Sequence, residues 1–221
     1  HVKRHSFPTR RSSDLLDPIF SNGGGPWRTN HVPYLREIMD SAVQRWVRRV
    51  TIVGPTQIGK TEAANNILGY FIHQQPSPCM LVMPRNSDVK LACKRRIKPM
   101  ILASPVLANE LTEQKHDFAT REIAFKRSIL YMRSAQSPAD LAAVPVRIIL
   151  GDETEKWPEW SGNEASPLSL VTERTRIFHD SLIVLTSTPR FRNGVIMKEF
   201  ERGDQRRFHV RCVHCNVFQV F

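Results

Sequence analysis

The feature that most constrains this chain is an uninterrupted phosphate-binding motif. It follows the pattern G-x-x-x-x-G-K-[S/T] and consists of Gly54, Pro55, Thr56, Gln57, Ile58, Gly59, Lys60 and Thr61. A β-branched run at 50–53 precedes it and a helical pattern at 61–73 follows it, which is the strand, loop and helix order that the motif requires. The N–H groups of such a loop and the positive end of the helix bind a phosphate. This context disfavours the alternative, a plain glycine turn with a solvated lysine.

The last two side chains of the motif have predicted chemical roles. We expect Lys60 to reach the β and γ phosphates of a nucleoside triphosphate, and the Thr61 hydroxyl to bind Mg²⁺. Such a site also needs a carboxylate for the metal and, where the nucleotide is hydrolysed, a second carboxylate to orient water. Another strand therefore has to supply acidic residues.

Asp152 and Glu153 meet that requirement. They follow an apolar strand pattern at 146–150, and ligands of open α/β sheets bind at the carboxyl ends of the strands. We assign Asp152 to Mg²⁺ and Glu153 to the attacking water. The alternative is a solvated turn in which Asp152, Glu153 and Glu155 stabilise the start of the next helix.

A further apolar strand pattern, at 182–185, ends in the hydroxyl residues Thr186, Ser187 and Thr188. Hydroxyl groups at this position can sense a γ phosphate and move a neighbouring segment when the phosphate leaves. A strand end that is capped before Pro189 would have the same composition, so both interpretations stay open.

Short apolar strands alternate with helical patterns along the chain. Helices are expected at 34–46, 61–73 and 87–102, the last capped by Ser87, and strands at 50–53, 80–83, 122–132 (one or two), 146–150 and 182–185. This alternation predicts an α/β fold, and with the phosphate loop we expect the P-loop NTPase class (RecA/ASCE-like). We expect a mostly parallel sheet with helices on both faces.

Composition places the chain among basic globular proteins. Of 221 residues, 41% are apolar and 24% charged, which fits neither disorder nor a fibrous repeat. The formal net charge of +11 suits a polyanionic partner such as nucleic acid, or simply a solvated basic surface.

No run approaches the roughly 18 apolar residues of a membrane-spanning helix, so we expect no membrane partner and a cytoplasmic location. The four cysteines are too few for a disulfide scaffold, and we expect them to be reduced.

Four arginines follow the acidic pair: Arg174, Arg176, Arg190 and Arg192. One of them could stabilise transition-state charge as an arginine finger, and Arg174 is our candidate. The others would contact DNA or solvent. The sequence does not choose among them.

The two ends of the chain differ from its centre. Residues 6–15 resemble the translation of a sequencing adaptor, so we set residues 1–15 aside as a non-native segment; a natural basic arm is the alternative. Residues 16–32 contain three consecutive glycines and are expected to form a linker. We expect the ATPase domain at 33–207, and both ends look truncated.

Residues 208–221 are expected to begin a zinc-ribbon-like segment. Cys212 and Cys215 have the spacing of half a zinc site, but a structural site needs four ligands. The other half would lie beyond Phe221, since His214 is a geometrically awkward third ligand. Two free thiols are the alternative.

Taken in order, these features resemble the ATPase domain of the large terminase subunit of lambda-type tailed bacteriophages. The likeness spans nearly all of 33–221. Besides the loop, the acidic pair, the Ser-Thr-Pro motif and the cysteine pair, it rests on the runs PYLREIMD at 33–40, SPADL at 137–141, ERT at 173–175 and DQRRF at 204–208.

The resemblance implies a motor that hydrolyses ATP to drive double-stranded DNA into a preformed capsid, in the cytoplasm of the host cell. It also implies three partners: a small DNA-recognising terminase subunit, the portal protein of the prohead, and neighbouring copies of the motor. Two departures from the family pattern bear on the sites. Glu155 stands where the family usually has Asp, so we assign it no catalytic role. Val213 and Asn216 stand where the family has Pro and Gly beside the cysteines, which weakens the prediction of a zinc site. We expect the nuclease activity of such subunits to lie outside this chain.

Two other functions stay open from the sequence. A helicase-like nucleic-acid translocase of the Asp-Glu box type shares the loop, the acids and the Ser-Thr-Pro motif, but it would need a second RecA-like domain. A catalytically inactive nucleic-acid-binding scaffold is the other, and the intact Lys60, Thr61, Asp152 and Glu153 argue against it.

Overall fold

A six-stranded sheet forms the centre of the structure. The computed structural model describes residues 15–16, 25–114, 118–159 and 165–221, with the backbone alone at 15–16 and 25–26. Its strands are β1 (Leu15–Leu16), β2 (Gly25–Pro26), β3 (Arg49–Val53), β4 (Pro78–Met83), β5 (Glu122–Ala124), β6 (Ile129–Ser134), β7 (Ile148–Gly151), β8 (Leu182–Ser187), β9 (His209–Arg211) and β10 (Phe218–Val220). The central sheet has the order β3-β8-β7-β4-β6-β5. Its pairs are parallel except for β5, which runs antiparallel to β6 at one edge.

Helices connect these strands. The α-helices are α1 (Arg36–Ala42), α2 (Lys60–His73), α3 (Asn86–Ala92), α4 (Lys98–Ala103), α5 (Pro105–Ala108), α6 (Pro138–Ala142), α7 (Pro167–Glu173) and α8 (Val195–Glu201). Short 3₁₀ turns lie at Thr29–His31, Pro33–Leu35 and Thr154–Lys156, and a π turn lies at Cys93–Ile97. Helices connect the parallel strands because parallel neighbours need crossover connections. Since β3, β8, β7 and β4 run parallel, their carboxyl ends all lie at one edge of the sheet, called here the carboxyl edge.

The central strands are apolar on both faces. Every residue of β7 and β8 is buried. Alternate residues of β7 enter two different cores: Ile148 lies in the cluster that contains Ile67 of α2, whereas Ile149 lies in the cluster that contains Val171 of α7 and Ile196 of α8. Helices therefore cover both faces of the sheet, and the predicted α/β fold class is confirmed.

The predicted helix at 87–102 is real but interrupted. It begins at Asn86, with Arg85 at the cap position and no side-chain cap hydrogen bond, so the prediction that Ser87 caps it is wrong. The π turn at Cys93–Ile97 separates α3 from α4. Pro99 explains the interruption, because proline has no N–H to donate and its ring clashes with the carbonyl oxygen four residues earlier.

The other predicted elements occur at nearly the expected places. The run at 122–132 forms the two strands β5 and β6, and the expected helix at 34–46 shortens to a 3₁₀ turn followed by α1. Trp27 packs against the first core, and its Nε1 donates a hydrogen bond of 3.0 Å to the buried Thr29. Packed residues thus begin ahead of Pro33, where we expected the domain to start.

The terminal segments are described only in part. Residues 1–14 and 17–24, which hold most of the expected adaptor-derived segment and linker, lie outside the described residues. At the other end, β9 and β10 pair antiparallel as a hairpin with both Cys212 and Cys215 in its turn. Among the described residues, no helix has the length and hydropathy to cross a membrane. The division into domain and ribbon-like segment stays a prediction.

Candidate nucleotide site

The phosphate loop closes around the Lys60 ammonium group. Gly59, with φ +84°, occupies the left-handed region at the residue before α2, where glycine avoids the strain that a Cβ would cause. Lys60 Nζ donates hydrogen bonds to the carbonyl oxygens of Gly54, at 2.9 Å, and Pro55. Partial burial lowers the pKa of Lys60, while Asp152 and Glu153 oppose the shift. The loop therefore holds a positive charge at the position where a phosphate would bind.

The loop meets the acidic pair at Asp152. The Thr61 hydroxyl donates a 3.0 Å hydrogen bond to Asp152 Oδ2. The other carboxylate oxygen, Oδ1, accepts hydrogen bonds from the Thr186 hydroxyl and, at 3.0 Å, from the Glu153 N–H. Asp152 is only 6% exposed, and its N–H extends the ladder with β4 by bonding to the Val82 oxygen. The carboxylate is thus held in one orientation, next to the loop.

Glu153 lies at the same edge but points to the surface. Its backbone is left-handed, with φ +50°, and its half-exposed carboxylate pairs with Lys156 at 2.7 Å. This conformation is uncommon for a residue other than glycine. The structure places Glu153 beside Asp152, and its assignment to the attacking water stays a prediction.

The hydroxyl residues Thr186 and Ser187, which end β8, and Thr188, which follows it, all contact the site or its supports. Thr186 bonds to Asp152, and the Thr188 hydroxyl lies 3.2 Å from Lys60 Nζ. Ser187 Oγ accepts a 3.1 Å hydrogen bond from the Glu155 N–H. This segment is therefore joined both to the phosphate loop and to the residues after β7.

Glu155 has a structural partner that the sequence did not predict. Its Oε2 accepts a 3.2 Å hydrogen bond from the N–H of Ile196, in the first turn of α8. A carboxylate near a helix N-terminus is favourable. Gly194, the residue before α8, leaves room for this contact, because a Cβ there would collide with the Glu155 carboxylate.

The arginine candidate from the sequence lies away from this site. Arg174 Nη1 donates a 3.0 Å hydrogen bond to the oxygen of Ala142, and the Arg174 oxygen accepts one from the N–H of Val146. Val146 precedes β7, so Arg174 sits at the amino end of the sheet. A role for Arg174 at the site of a neighbouring copy stays a prediction. A different arginine, Arg96, lies 3.9 Å from Asp152, and no local motif pointed to it.

Cys212 and Cys215 lie together in the turn between β9 and β10. Hydrogen bonds from the backbone of Cys215 and His214 lower the pKa of the Cys212 thiol, which favours the thiolate that a metal binds. Among the described residues, no group of three or more His, Cys, Asp or Glu side chains is placed to hold a metal ion. Zinc binding by Cys212 and Cys215 therefore stays a prediction.

Comparison with known proteins identifies the family. The family model for the ATPase domain of the phage terminase large subunit gpA matches residues 21–221. The chain belongs to this family. The terminase large subunit of Escherichia phage lambda is 22% identical to it over 197 residues, which cover 86% of the chain and 30% of that protein. The chain thus spans less than a third of the length of this curated relative.

Solved structures agree on the terminase fold. The ATPase domain of the large terminase of Thermus phage P74-26 superposes with a TM-score of 0.56 at 18% identity, covering 83% of this chain and 76% of that one. The large terminase of bacteriophage HK97 gives a TM-score of 0.63 at 14% identity, covering 82% of this chain and 36% of that one. At these identities the likeness concerns the fold alone.

Proposed function

We propose that this chain is the ATP-hydrolysing motor domain of a phage terminase large subunit, which packages double-stranded DNA into a prohead. The observation that carries the proposal is the 3.0 Å hydrogen bond from the Thr61 hydroxyl to the Asp152 carboxylate. It joins the two side chains by which a P-loop enzyme holds Mg²⁺. Because the chain spans 30% of the lambda subunit, the packaging activity of the whole protein belongs to the proposal.

The donor set fits a magnesium nucleotide. A threonine hydroxyl and a carboxylate are hard oxygen ligands, and Mg²⁺ usually binds proteins through one or two such groups together with substrate phosphates. Thr61 and Asp152 would hold the ion, which when bound neutralises charge on the β and γ phosphate oxygens. The hydrogen bonds from Thr186 and from the Glu153 N–H orient Asp152 for this role.

The other site residues would act on the nucleotide and on water. The loop N–H groups, from Gly54 to Thr61, and the Lys60 ammonium would hold the triphosphate. Glu153 would orient a water molecule for in-line attack on the γ phosphorus. The bond from that phosphorus to the bridging oxygen breaks, and the products are ADP, inorganic phosphate and a proton. Since the Glu153 carboxylate pairs with Lys156, this pair has to separate before Glu153 reaches the water.

A chain of hydrogen bonds supports a coupling role for the end of β8. Thr188 contacts Lys60, Ser187 contacts the Glu155 N–H, and the Glu155 carboxylate contacts the first turn of α8. Loss of the γ phosphate changes the charge that Lys60 faces, so it would shift Thr188 and, through Ser187, displace α8. Movement of a segment on phosphate loss is a common switching device.

The binding partners of this chain are proposed from its net charge and from its family. The net charge of +11 supports a DNA partner, because lysine and arginine release phosphate counterions on binding. The small terminase subunit, the portal protein, neighbouring copies of the motor and the host cytoplasm follow from the family. Cys212 and Cys215 would bind Zn²⁺ together with two ligands from outside the described residues.

Two variants test the site by phosphate release with and without double-stranded DNA. Lys60→Ala should abolish hydrolysis and weaken nucleotide binding, because it removes the charge that faces the phosphates. Glu153→Gln should abolish hydrolysis while the nucleotide still binds, because the amide cannot accept the proton of the water. Lys126→Ala and Glu201→Gln are matched controls, since both residues are exposed and lie outside the site.

Each alternative has its own outcome in the same assay. Full turnover by either site variant would contradict the proposed site. A wild-type protein that binds DNA but releases no phosphate would support the inactive scaffold. DNA-stimulated hydrolysis that separates strands would support the helicase-like translocase instead of a packaging motor.

A further inference from the structure

Arg96 lies at the nucleotide site although it belongs to the helix that follows β4. It occupies the π turn at Cys93–Ile97. The side chains of Cys93 and Ile97 are buried in the first core, which fixes the turn on the sheet. The Arg96 side chain is 39% exposed, and its Nη1 lies 3.9 Å from Asp152 Oδ2. A π turn inside a helix is frequently found at a functional site.

The contact between Arg96 and Asp152 leaves the guanidinium with donors to spare. A distance of 3.9 Å is an ion pair but is too long for a hydrogen bond. Asp152 instead accepts its hydrogen bonds from Thr61, Thr186 and the Glu153 N–H. Within the part of the chain that the structure describes, Arg96 makes no side-chain hydrogen bond. The planar group can therefore take a new acceptor without breaking an existing hydrogen bond.

The position of Arg96 indicates which acceptor that is. Along the carboxyl edge of the sheet the phosphate loop follows β3, Asp152 follows β7, and the helix with Arg96 follows β4. Arg96 Nη1 and the Thr61 hydroxyl both approach Oδ2 of Asp152, so the guanidinium lies on the side of the carboxylate that faces the phosphate loop. If the loop holds the β phosphate, and Thr61 and Asp152 hold Mg²⁺, the phosphate that Arg96 can reach is the γ phosphate.

We propose that Arg96 recognises the γ phosphate of ATP bound to the same chain. This proposal rests on the proposed function, because it takes the loop and Asp152 to hold a magnesium nucleotide. A cation on Asp152 would repel the guanidinium, whereas the γ phosphate oxygens offer it two acceptors that match its fork. Arg96 would then distinguish ATP from ADP, which lacks that phosphate.

The test is the affinity of the protein for a non-hydrolysable ATP analogue and for ADP, each with Mg²⁺, by isothermal titration. Arg96→Ala should weaken binding of the analogue by about tenfold or more, the effect of losing a hydrogen bond to a charged group. Binding of ADP should change less than about twofold. Arg96→Lys should recover part of the loss, because it restores the charge but not the fork. Lys94→Ala, an exposed charge in the same turn, should change neither affinity.

The outcomes separate this proposal from the proposed function. Equal weakening of the analogue and ADP would mean that Arg96 only orients Asp152, and would overturn the proposal while the nucleotide site stands. Unchanged affinity for both in Arg96→Ala would overturn it as well. A wild-type protein that binds neither nucleotide would overturn both. Thermal unfolding of each variant shows whether it is folded. If Arg96→Ala is misfolded, Arg96→Lys and Arg96→Gln test the proposal by the ratio of their affinities for the ATP analogue and for ADP.

Discussion

Two buried threonines beside the site allow a stringent test of its hydrogen bonding. Thr186 and Thr154 are both 1% exposed. The Thr186 hydroxyl donates to the Asp152 carboxylate, whereas the Thr154 hydroxyl has no hydrogen-bond partner among the described residues. Replacement by valine removes the hydroxyl and keeps the branched shape in both cases. The two variants therefore differ in the hydrogen bond alone.

The structure gives opposite signs for the two changes in the free energy of unfolding. A hydrogen bond to a charged group contributes about 1.5–3 kcal/mol, so Thr186→Val should destabilise the protein by that amount. Asp152 keeps its hydrogen bonds from Thr61 and the Glu153 N–H, so the cost should not exceed this range. Thr154→Val replaces an unpaired buried hydroxyl with a methyl group, and its effect should lie between zero and about 1 kcal/mol of stabilisation.

Thermal unfolding followed by circular dichroism measures both effects. For a chain of this size, 1 kcal/mol corresponds to roughly 2–4 °C in Tm, so Thr186→Val should lower Tm by roughly 3–12 °C. The solution should contain EDTA, because a metal ion on Asp152 would change the contribution of the hydrogen bond. Equal Tm values for the two variants would contradict a stabilising hydrogen bond from Thr186, and so would a lower Tm for Thr154→Val than for Thr186→Val.

Two further predictions concern the supports of the site and the pH dependence of stability. Gly194→Ala should lower the free energy of unfolding by about 1–2 kcal/mol, since its Cβ would displace the Glu155 carboxylate from α8. This cost should become smaller in a Glu155→Ala background, where only the lower preference for alanine at the N-cap position of α8 is left. An equal cost in both backgrounds, measured by urea unfolding, would contradict the contact. The hydrogen bond from Arg127, at 2.9 Å, together with His73, lowers the pKa of Glu110. The carboxylate therefore stabilises the fold above its ordinary pKa, and this stabilisation is lost as pH falls through the lowered value. Glu110→Gln should thus cost about 0.5–1 kcal/mol at neutral pH and less in acid, and urea unfolding with a cost that does not depend on pH would exclude this ion pair as its source.

Features that depend on a short run of residues could be predicted. The strand before the loop, the buried strands β7 and β8 and the helix after the loop all follow local patterns, and the structure has each of them. The capping assignment of Ser87 was wrong because the start of a helix depends on backbone dihedrals that several neighbouring residues can satisfy. Arg174 could not be placed from the sequence, because which end of the sheet a loop residue reaches depends on where the neighbouring strands begin.

Local patterns are sufficient to predict the chemical groups: a phosphate loop, two acids after an apolar strand, and hydroxyl residues after another. Which of these groups meet depends on the tertiary structure. Thr61 and Arg96 both approach Asp152, because β8, β7 and β4 insert into the sheet in an order that differs from their order along the chain. Strand order follows from the packing of both apolar faces of the sheet against helices, which is a property of the whole chain and of no single motif.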